Sequence, residues 1–434
     1  MKNVAFCVVL VLVSCFCAFA QTYKVLWSFG GASNDGAEPV SNLVFDKAGN
    51  MYGTTEWGGT GTNDQCGAGC GTVFELSPNG DSTWSETVLY NFCASYPTGS
   101  CLDGEKPTSG LASDTVGNLY GVTFNGGAVY CPYASAGCGT VFELSPPQSP
   151  GGAWTETVLH SFCSDYVTQC LDGVYPNGHL TFDTSGNLYG TTTGGGNGGW
   201  LGGTVFELSP SGGGWTQTVL YNFCTGGAYN DCPDGTAPQA GVTFDTAGNM
   251  YGTTQHGGTA LGTGAGTVYE LSPGSGGWTE SVLGFFYPGL GPGLPDGVVS
   301  FDSTGNLYTT VYGGASHNWD NGGVLRLNPT TGTVHSFAFN GVIGSSPTAG
   351  VLVEPTTGVM YGTSSGSGPN SHIAGNIFKI GPNGETVLYQ FCQQANCADG
   401  EGPFGSLSAY SGKLYGTTIA GGANNRGVVF EITP

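Results

Sequence analysis

Six aspartates make the first chemical suggestion in this sequence. Asp35, Asp103, Asp172, Asp234, Asp296 and Asp399 each precede a glycine, most in the form Asp-Gly-x-x-Pro. A ring of such carboxylates at one opening could hold Ca²⁺, which takes several carboxylate and carbonyl oxygens. Each could equally cap its own turn, because an Asp side chain accepts hydrogen bonds from nearby backbone N–H groups. A second group is aromatic: Trp57, Tyr130, Tyr133, Trp200 and Trp319, with His256, His317 and His372 nearby. Exposed rings stack on sugar faces, offering an apolar platform with a polar edge. Packing inside loop clusters is the alternative for each of them.

Catalytic constellations are sparse. Gly362-Thr-Ser-Ser-Gly366 matches the nucleophile-elbow spacing, but that motif needs a strand-to-helix turn and a strand pattern runs through it instead. The acids Glu75, Glu143, Glu207, Glu270 and Glu431 recur at equivalent points, with Arg326 and Lys379 replacing two of them. Glycoside hydrolysis needs one unequal pair of acids, so a periodic set reads as structural. Trp84, Trp154, Trp215 and Trp278 also recur at equivalent points and read as packing.

Three of the 15 cysteines (Cys7, Cys15 and Cys17) fall in the first twenty residues, leaving an even 12. These form close neighbours: Cys66/Cys70, Cys93/Cys101, Cys131/Cys138, Cys163/Cys170, Cys224/Cys232 and Cys392/Cys397. None has the C-x2-C or Cys/His spacing of a zinc site. Six local disulfides in an oxidising compartment are therefore expected.

All of these groups sit on a repeat. Gly-Asn-Leu-Tyr-Gly-Thr-Thr recurs around Tyr52, Tyr120, Tyr189, Tyr251, Tyr308, Tyr361 and Tyr415, at spacings of 68, 69, 62, 57, 53 and 54 residues. Three other patterns accompany it seven times each, typified by Leu43-Val-Phe-Asp46, Gly71-Thr-Val-Phe-Glu-Leu76 and Thr87-Val-Leu-Tyr-Asn-Phe92. All are short, rich in β-branched and aromatic residues, and bounded by Gly, Asp, Asn or Pro. We call the four strands a (Leu-x-Phe-Asp), b (Asn-Leu-Tyr-Gly), c (Thr-Val-Phe-Glu) and d (Val-Leu-Tyr-Asn-Phe). Asp-x-x-Gly-Asn between a and b has hairpin chemistry.

Seven units of four strands predict an all-β, seven-bladed β-propeller over residues 21–434. The chain opens on a lone d strand, Tyr23 to Phe29, and closes on a, b and c without d. The N-terminal strand is therefore expected to complete the last blade, leaving no exposed edge. The d–a and b–c connections then share one face, which carries all six cysteine pairs and the longest insertions. Long, braced loops on a rigid scaffold are where binding concentrates.

The composition supports this and narrows the partners. With 80 Gly and 23 Pro in 434 residues, a mainly helical protein is excluded. A hydrophobic fraction of 39% excludes disorder. Eight Lys and Arg against 30 Asp and Glu, a net charge of -22, argue against nucleic acid and anionic lipid surfaces. Residues 1–20 read as a signal peptide: Lys2, the apolar run Val4 to Val13, then Ala18-Phe19-Ala20. Leu12-Val-Ser-Cys15 loosely matches a lipobox, the alternative that would put a lipid anchor on Cys15. No other segment is long and apolar enough to cross a membrane.

The run Gly-Asn-Leu-Tyr-Gly-Thr-Thr, then Gly-Gly, then Gly-Thr-Val-Phe-Glu-Leu-Ser-Pro resembles the Gloeo/Verruco (GloVer) tandem repeat of exported bacterial proteins. More distantly, Phe-Asp-x-x-Gly-Asn-Leu-Tyr is similar to blades of NHL and SMP-30-type propellers. The GloVer resemblance implies export, often with a C-terminal anchoring segment, and no established activity. The ending Glu431-Ile-Thr-Pro434, without an apolar tail, departs from it. The function expected is that of a secreted, monomeric, non-catalytic binding module for extracellular or cell-wall glycan. Its alternatives are a metal-dependent hydrolase or lyase using the channel, and a structural surface protein. An asymmetric set of His and acids at the axis would favour the enzyme.

Overall fold

The computed structural model describes residues 21–434 except 64–65, 68, 95–100, 128–130, 132–135, 150, 164–169, 200–201, 226–231, 259–263, 287–292, 314–320, 340–343 and 367–373. It is a seven-bladed β-propeller, and no α-helix occurs among the described residues. Blade one is typical. Strand a (Val44–Phe45), b (Met51–Thr55), c (Thr72–Pro78) and d (Trp84–Asn91) form an antiparallel sheet in that order. The blade-seven sheet contains Ser408–Tyr410, Lys413–Thr418 and Val428–Ile432, and Tyr23–Ser28 joins it as strand d. The ring thus closes where the two ends meet, with Tyr23 opposite Ile432 and its ring stacked 3.7 Å from Tyr389.

The repeated motif has a physical reason at each position. In Gly-Thr-Thr, the first Thr ties its blade to the next one. Thr54 donates to the Ser109 carbonyl at 2.9 Å, Thr191 to Ala240 at 2.9 Å, Thr310 to Ala349 at 3.0 Å and Thr417 to Ser41 at 3.0 Å. The second Thr bonds strand c of its own blade, as in Thr55 with Thr72 at 2.8 Å. Gly53 has no alternative, because a Cβ there would lie 2.7 Å from the Phe74 ring. The Asp-x-x-Gly-Asn aspartates cap their hairpins. Asp46 accepts from Ala48 N–H, from the backbone and side chain of Asn50, and from the Tyr52 hydroxyl. The strand-c glutamates are likewise occupied, Glu75 by Ser77 and Glu207 by Ser209.

Blades are held to one another mainly by aromatic packing. The phenylalanine ending strand d meets the strand-c phenylalanine of the next blade edge to face, as in Phe29–Phe74 at 5.0 Å, Phe92–Phe142 at 5.1 Å and Phe391–Phe430 at 5.3 Å. Such pairs contribute about 0.5–1.5 kcal/mol each beyond the area they bury. Between blades four and five, Phe286 and Leu325 share the core cluster at that place.

Candidate functional site

The channel mouth is built by the residues that follow one proline in each blade: Pro39, Pro107, Pro176, Pro238, Pro295, Pro347 and Pro403. The residue before each proline has positive φ, including Lys106 at 56° and Tyr175 at 57°. Non-glycine residues avoid that conformation, and a following proline restricts them further. Each is held there by a hydrogen bond to the preceding blade. The Lys106 N–H donates to the Cys70 carbonyl at 2.8 Å, Tyr175 to Cys138 at 2.8 Å, and Glu38 to Arg426 at 2.9 Å. The proline then lies against the glycine that opens strand c; a Cβ on Gly71 would come 2.5 Å from Pro107 Cδ. Strain held in place by its surroundings concentrates at working sites.

Past these prolines, all seven blades line an axial cavity of about 330 Å³. The first position after the proline is the variable one: Val40, Thr108, Asn177, Gln239, Asp296, Thr348 and Phe404. Four of these join Gln255 in a head-to-tail chain. The Thr108 hydroxyl donates to Asn177 Oδ1 at 3.2 Å, and Asn177 Nδ2 to Gln239 Oε1 at 2.8 Å. Gln239 Nε2 then donates to Gln255 Oε1 at 3.3 Å, and Gln255 Nε2 to Asp296 Oδ1 at 3.1 Å. The donors all run one way and end on a carboxylate. Burial pushes the Asp296 carboxyl up to about 6, against the pull of Gln255. Glu56 and His179 line the same cavity. Burial raises the Glu56 carboxyl, with Lys106 opposing it, and lowers the His179 imidazole, which is neutral at pH 7. The buried Thr348 hydroxyl has no partner among the described residues. The axis is therefore polar and asymmetric.

The six aspartates do not behave as one set. Asp103 accepts from the Cys93 N–H at 2.9 Å and the Tyr90 hydroxyl at 2.9 Å. Asp172 accepts from Cys163 and faces His160 at 3.0 Å, while Asp234 accepts from Cys224 and Tyr221. Asp399 takes the N–H groups of Gln393 and Gln394 with the Tyr389 hydroxyl. Asp35 accepts from Gly31 N–H, and the Trp27 indole faces it without closing a normal hydrogen bond. Each of these five holds its own d–a loop. Asp296 differs because it follows the proline, whereas the others precede theirs by four residues. In blades five and six that earlier position is Gly291 and Ile343, and the polar strand-d partner is also gone, leaving Gly284 and Phe337. Aspartate and partner are present or absent together.

Among the described residues no three of these carboxylates gather within 4.8 Å; the groups that do are Cys70, Cys93, Cys101 and Glu105, and Cys138, Cys163 and Cys170. Those cysteines are all in disulfides. The six pairs are Cys66–Cys70, Cys93–Cys101, Cys131–Cys138, Cys163–Cys170, Cys224–Cys232 and Cys392–Cys397. They fit an oxidising compartment. They also brace the mouth, since the Cys70 and Cys138 carbonyls hold the residues before Pro107 and Pro176.

Of the aromatic candidates, Trp57 is half-buried against the cluster around Cys66, Cys70 and Phe92, with Lys106 Nζ 4.4 Å over its ring. His256 bridges to Thr236, and burial lowers its imidazole pKa. Tyr130, Tyr133, Trp200, Trp319, His317 and His372 lie outside the described residues. The residues that sequence reasoning missed are Thr108, Asn177, His179, Gln239, Gln255 and Thr348. A signal existed for Thr108, Asn177, Gln239 and Thr348, because the position after the loop proline changes chemistry in every blade; His179 and Gln255 lie elsewhere in the sequence pattern.

The chain belongs to the Gloeobacter/Verrucomicrobia repeat family, whose model matches residues 62–285 and 261–434. No curated relative matches it by sequence. Among solved structures it is similar to polysaccharide lyase Uly1, with 10% identity over 94% of this chain and 92% of that one, at a TM-score of 0.50. It also resembles two proteins named as 6-phosphogluconolactonases. The Bacteroides fragilis protein is 12% identical over 90% of this chain and 98% of its own, TM-score 0.49. The Bacteroides uniformis protein is 14% identical over 83% and 86%, TM-score 0.46. At these identities the likeness is one of fold alone. Among the described residues no helix is long and apolar enough to cross a membrane.

Proposed function

We propose that the mature chain, released by removal of residues 1–20, is a secreted glycan-binding propeller that takes its ligand at the axial mouth of the disulfide-braced face. The observation that carries this reading is the directed chain Thr108–Asn177–Gln239–Gln255–Asp296. Amides fixed by one another keep their remaining donors and acceptors in set directions, and Asp296 adds an acceptor at the end. That inventory suits adjacent sugar hydroxyls, each both donor and acceptor. The loop aromatics Trp57, Tyr130, Tyr133, Trp200 and Trp319, with His317, stay in the proposal as the outer platform. Calcium enters only as a proposal at Asp296 with neighbouring amide oxygens, and calorimetric titration of Ca²⁺ into the chain tests it. A glycan array on the wild type, Asn177→Ala, Gln255→Ala and Trp57→Ala tests the site. Signal lost in the first two variants supports the axial mouth; signal unchanged in both removes it.

A second reading has its own support. Asp296 near pH 6 and neutral His179 share an asymmetric axis with Glu56. A carboxyl close to neutrality is suited to general acid–base chemistry. Mass spectrometry of bound oligosaccharides separates the two: shortened or unsaturated products indicate an enzyme, and intact ligand a binder.

A further inference from the structure

We propose that the cleft between blades four and five, on the face opposite the disulfides, is a slot for a tryptophan side chain presented by a polypeptide with a basic residue beside it. Strand d of blades one to four opens with Trp84, Trp154, Trp215 and Trp278. Each indole is half-buried in the junction with the preceding blade, beside that blade's strand-b tyrosine. The Trp154 ring is 6.2 Å from Tyr52, and Trp215 is 6.1 Å from Tyr120. Trp84 and Trp278 pack on the clusters holding Tyr415 and Tyr189.

Blade five has the slot without the plug. In strands c and d of the earlier blades the indole stands opposite a proline: Pro78 with Trp84, Pro210 with Trp215, Pro273 with Trp278. In blade five Leu327 pairs with Val334 and the Asn328 N–H bonds the Thr333 carbonyl, so the place opposite Pro329 falls to Gly332. A Cβ on Gly332 would meet nothing within 4 Å. The floor is nevertheless intact. Tyr251 and Phe301 meet edge to face at 5.2 Å, matching the Tyr189–Phe244 pair at 5.0 Å in the cluster on which Trp278 packs. What remains is a cavity of about 680 Å³, within the usual range of about 300–1,000 Å³ for ligand sites.

Charge selects the occupant's neighbour. The cleft carries Asp245, Glu270 and Asp302 and no Lys or Arg. The cleft between blades five and six also lacks an indole, with Asn383 in the hairpin turn, but Arg326 lines it in place of a glutamate. It serves as an internal contrast, because Arg326 there offsets Asp302, which lines it as well, and no net negative charge is left to attract a basic peptide. An indole with Arg or Lys next to it thus fits the first cleft in both shape and charge.

Calorimetry on the mature chain tests this with four probes: acetylated, amidated Gly-Trp-Arg-Gly, Gly-Trp-Glu-Gly and Gly-Ala-Arg-Gly peptides, and tryptamine. Saturable binding of the Trp-Arg peptide is expected, about tenfold weaker for Trp-Glu, a difference of roughly 1.4 kcal/mol, and undetectable for Ala-Arg. Gly332→Trp, at a φ of 67° that strains any side chain, sets an indole beside the slot and abolishes binding. Glu270→Gln weakens it severalfold and lowers its salt dependence; this second variant carries the test if the first fails to fold. Three results overturn the proposal: equal binding of the Trp-Arg and Ala-Arg peptides, unchanged affinity in both variants, or tryptamine binding more tightly than the peptide.

Discussion

Glu156 offers a stability prediction with a built-in control. Burial, with Asp103 beside it, pushes its carboxyl from 4.5 up to about 8. Its buried Oε1 and the Asp103 Oδ1 have no partner among the described residues. The same arrangement recurs at Glu86 beside Asp35 and Glu280 beside Asp234, each pushed up to about 7. Blade three places Gln217 there, and its amide bonds the Asp172 carbonyl at 3.3 Å. A carboxyl raised in the folded state contributes stability that is complete below the unfolded pKa and is lost as pH rises through the folded one. For Glu156 that window runs from 4.5 to about 8. At about 1.4 kcal/mol per pKa unit the rise corresponds to roughly 5 kcal/mol, which partial solvent exposure reduces to about 2 kcal/mol. Glu156→Gln removes the titration. Denaturant unfolding without reductant at pH 4, 6 and 8 is the assay, and Glu86 and Glu280 cancel between wild type and variant. The variant should match the wild type at pH 4 and exceed it by about 2 kcal/mol at pH 8. A constant offset across the three pH values, or a gap that grows toward acid, would refute the reasoning.

Three further predictions follow from the same structure. Asp296→Asn should stabilise the chain by about 1 kcal/mol at pH 7 and by nothing at pH 4, since the wild-type carboxyl is raised from 3.8 to about 6; it should weaken glycan capture at the same time. Removing residues 21–29 opens the ring at the Tyr23–Ser28 strand and its Tyr389 stacking. The truncated chain should lose its sharp thermal transition and associate through the exposed edge, as read by calorimetry and gel filtration. Replacing Cys163 and Cys170 by Ser together, a pair separated by 7 residues, should cost about 2 kcal/mol by loop entropy while the fold persists in circular dichroism.

The propeller was readable from sequence because it is periodic. Seven versions of Tyr-Gly-Thr-Thr, exact in four blades and varied in three, leave one architecture, and a lone d strand at the start with a, b and c at the end sets the closure. The disulfides were readable because their spacings are local. The site was hidden by a register error in blade five. Matching blades by Asp-Gly places Asp296 with Asp103, whereas matching by the loop proline places it with Asn177 and Gln239 at the axis. The amide chain was invisible because none of its members is a residue type that declares chemistry alone. Gln255 comes from a b–c connection, and the folding of blade four against blade five brings it to the residues after Pro238 and Pro295. The empty indole slot required pairing register as well, since strand d of blade five lacks the bulge of the indole-bearing blades and the count shifts by one.

The most direct test of the axial site is hydrogen–deuterium exchange with and without a saturating glycan from the array. Protection concentrated in the segments after the seven loop prolines, such as 108–110, 177–179 and 239–241, together with Gln255, is the predicted result. Protection on the a–b hairpins around Asp46, Asp114 and Asp183, with the channel segments unchanged, would contradict the account.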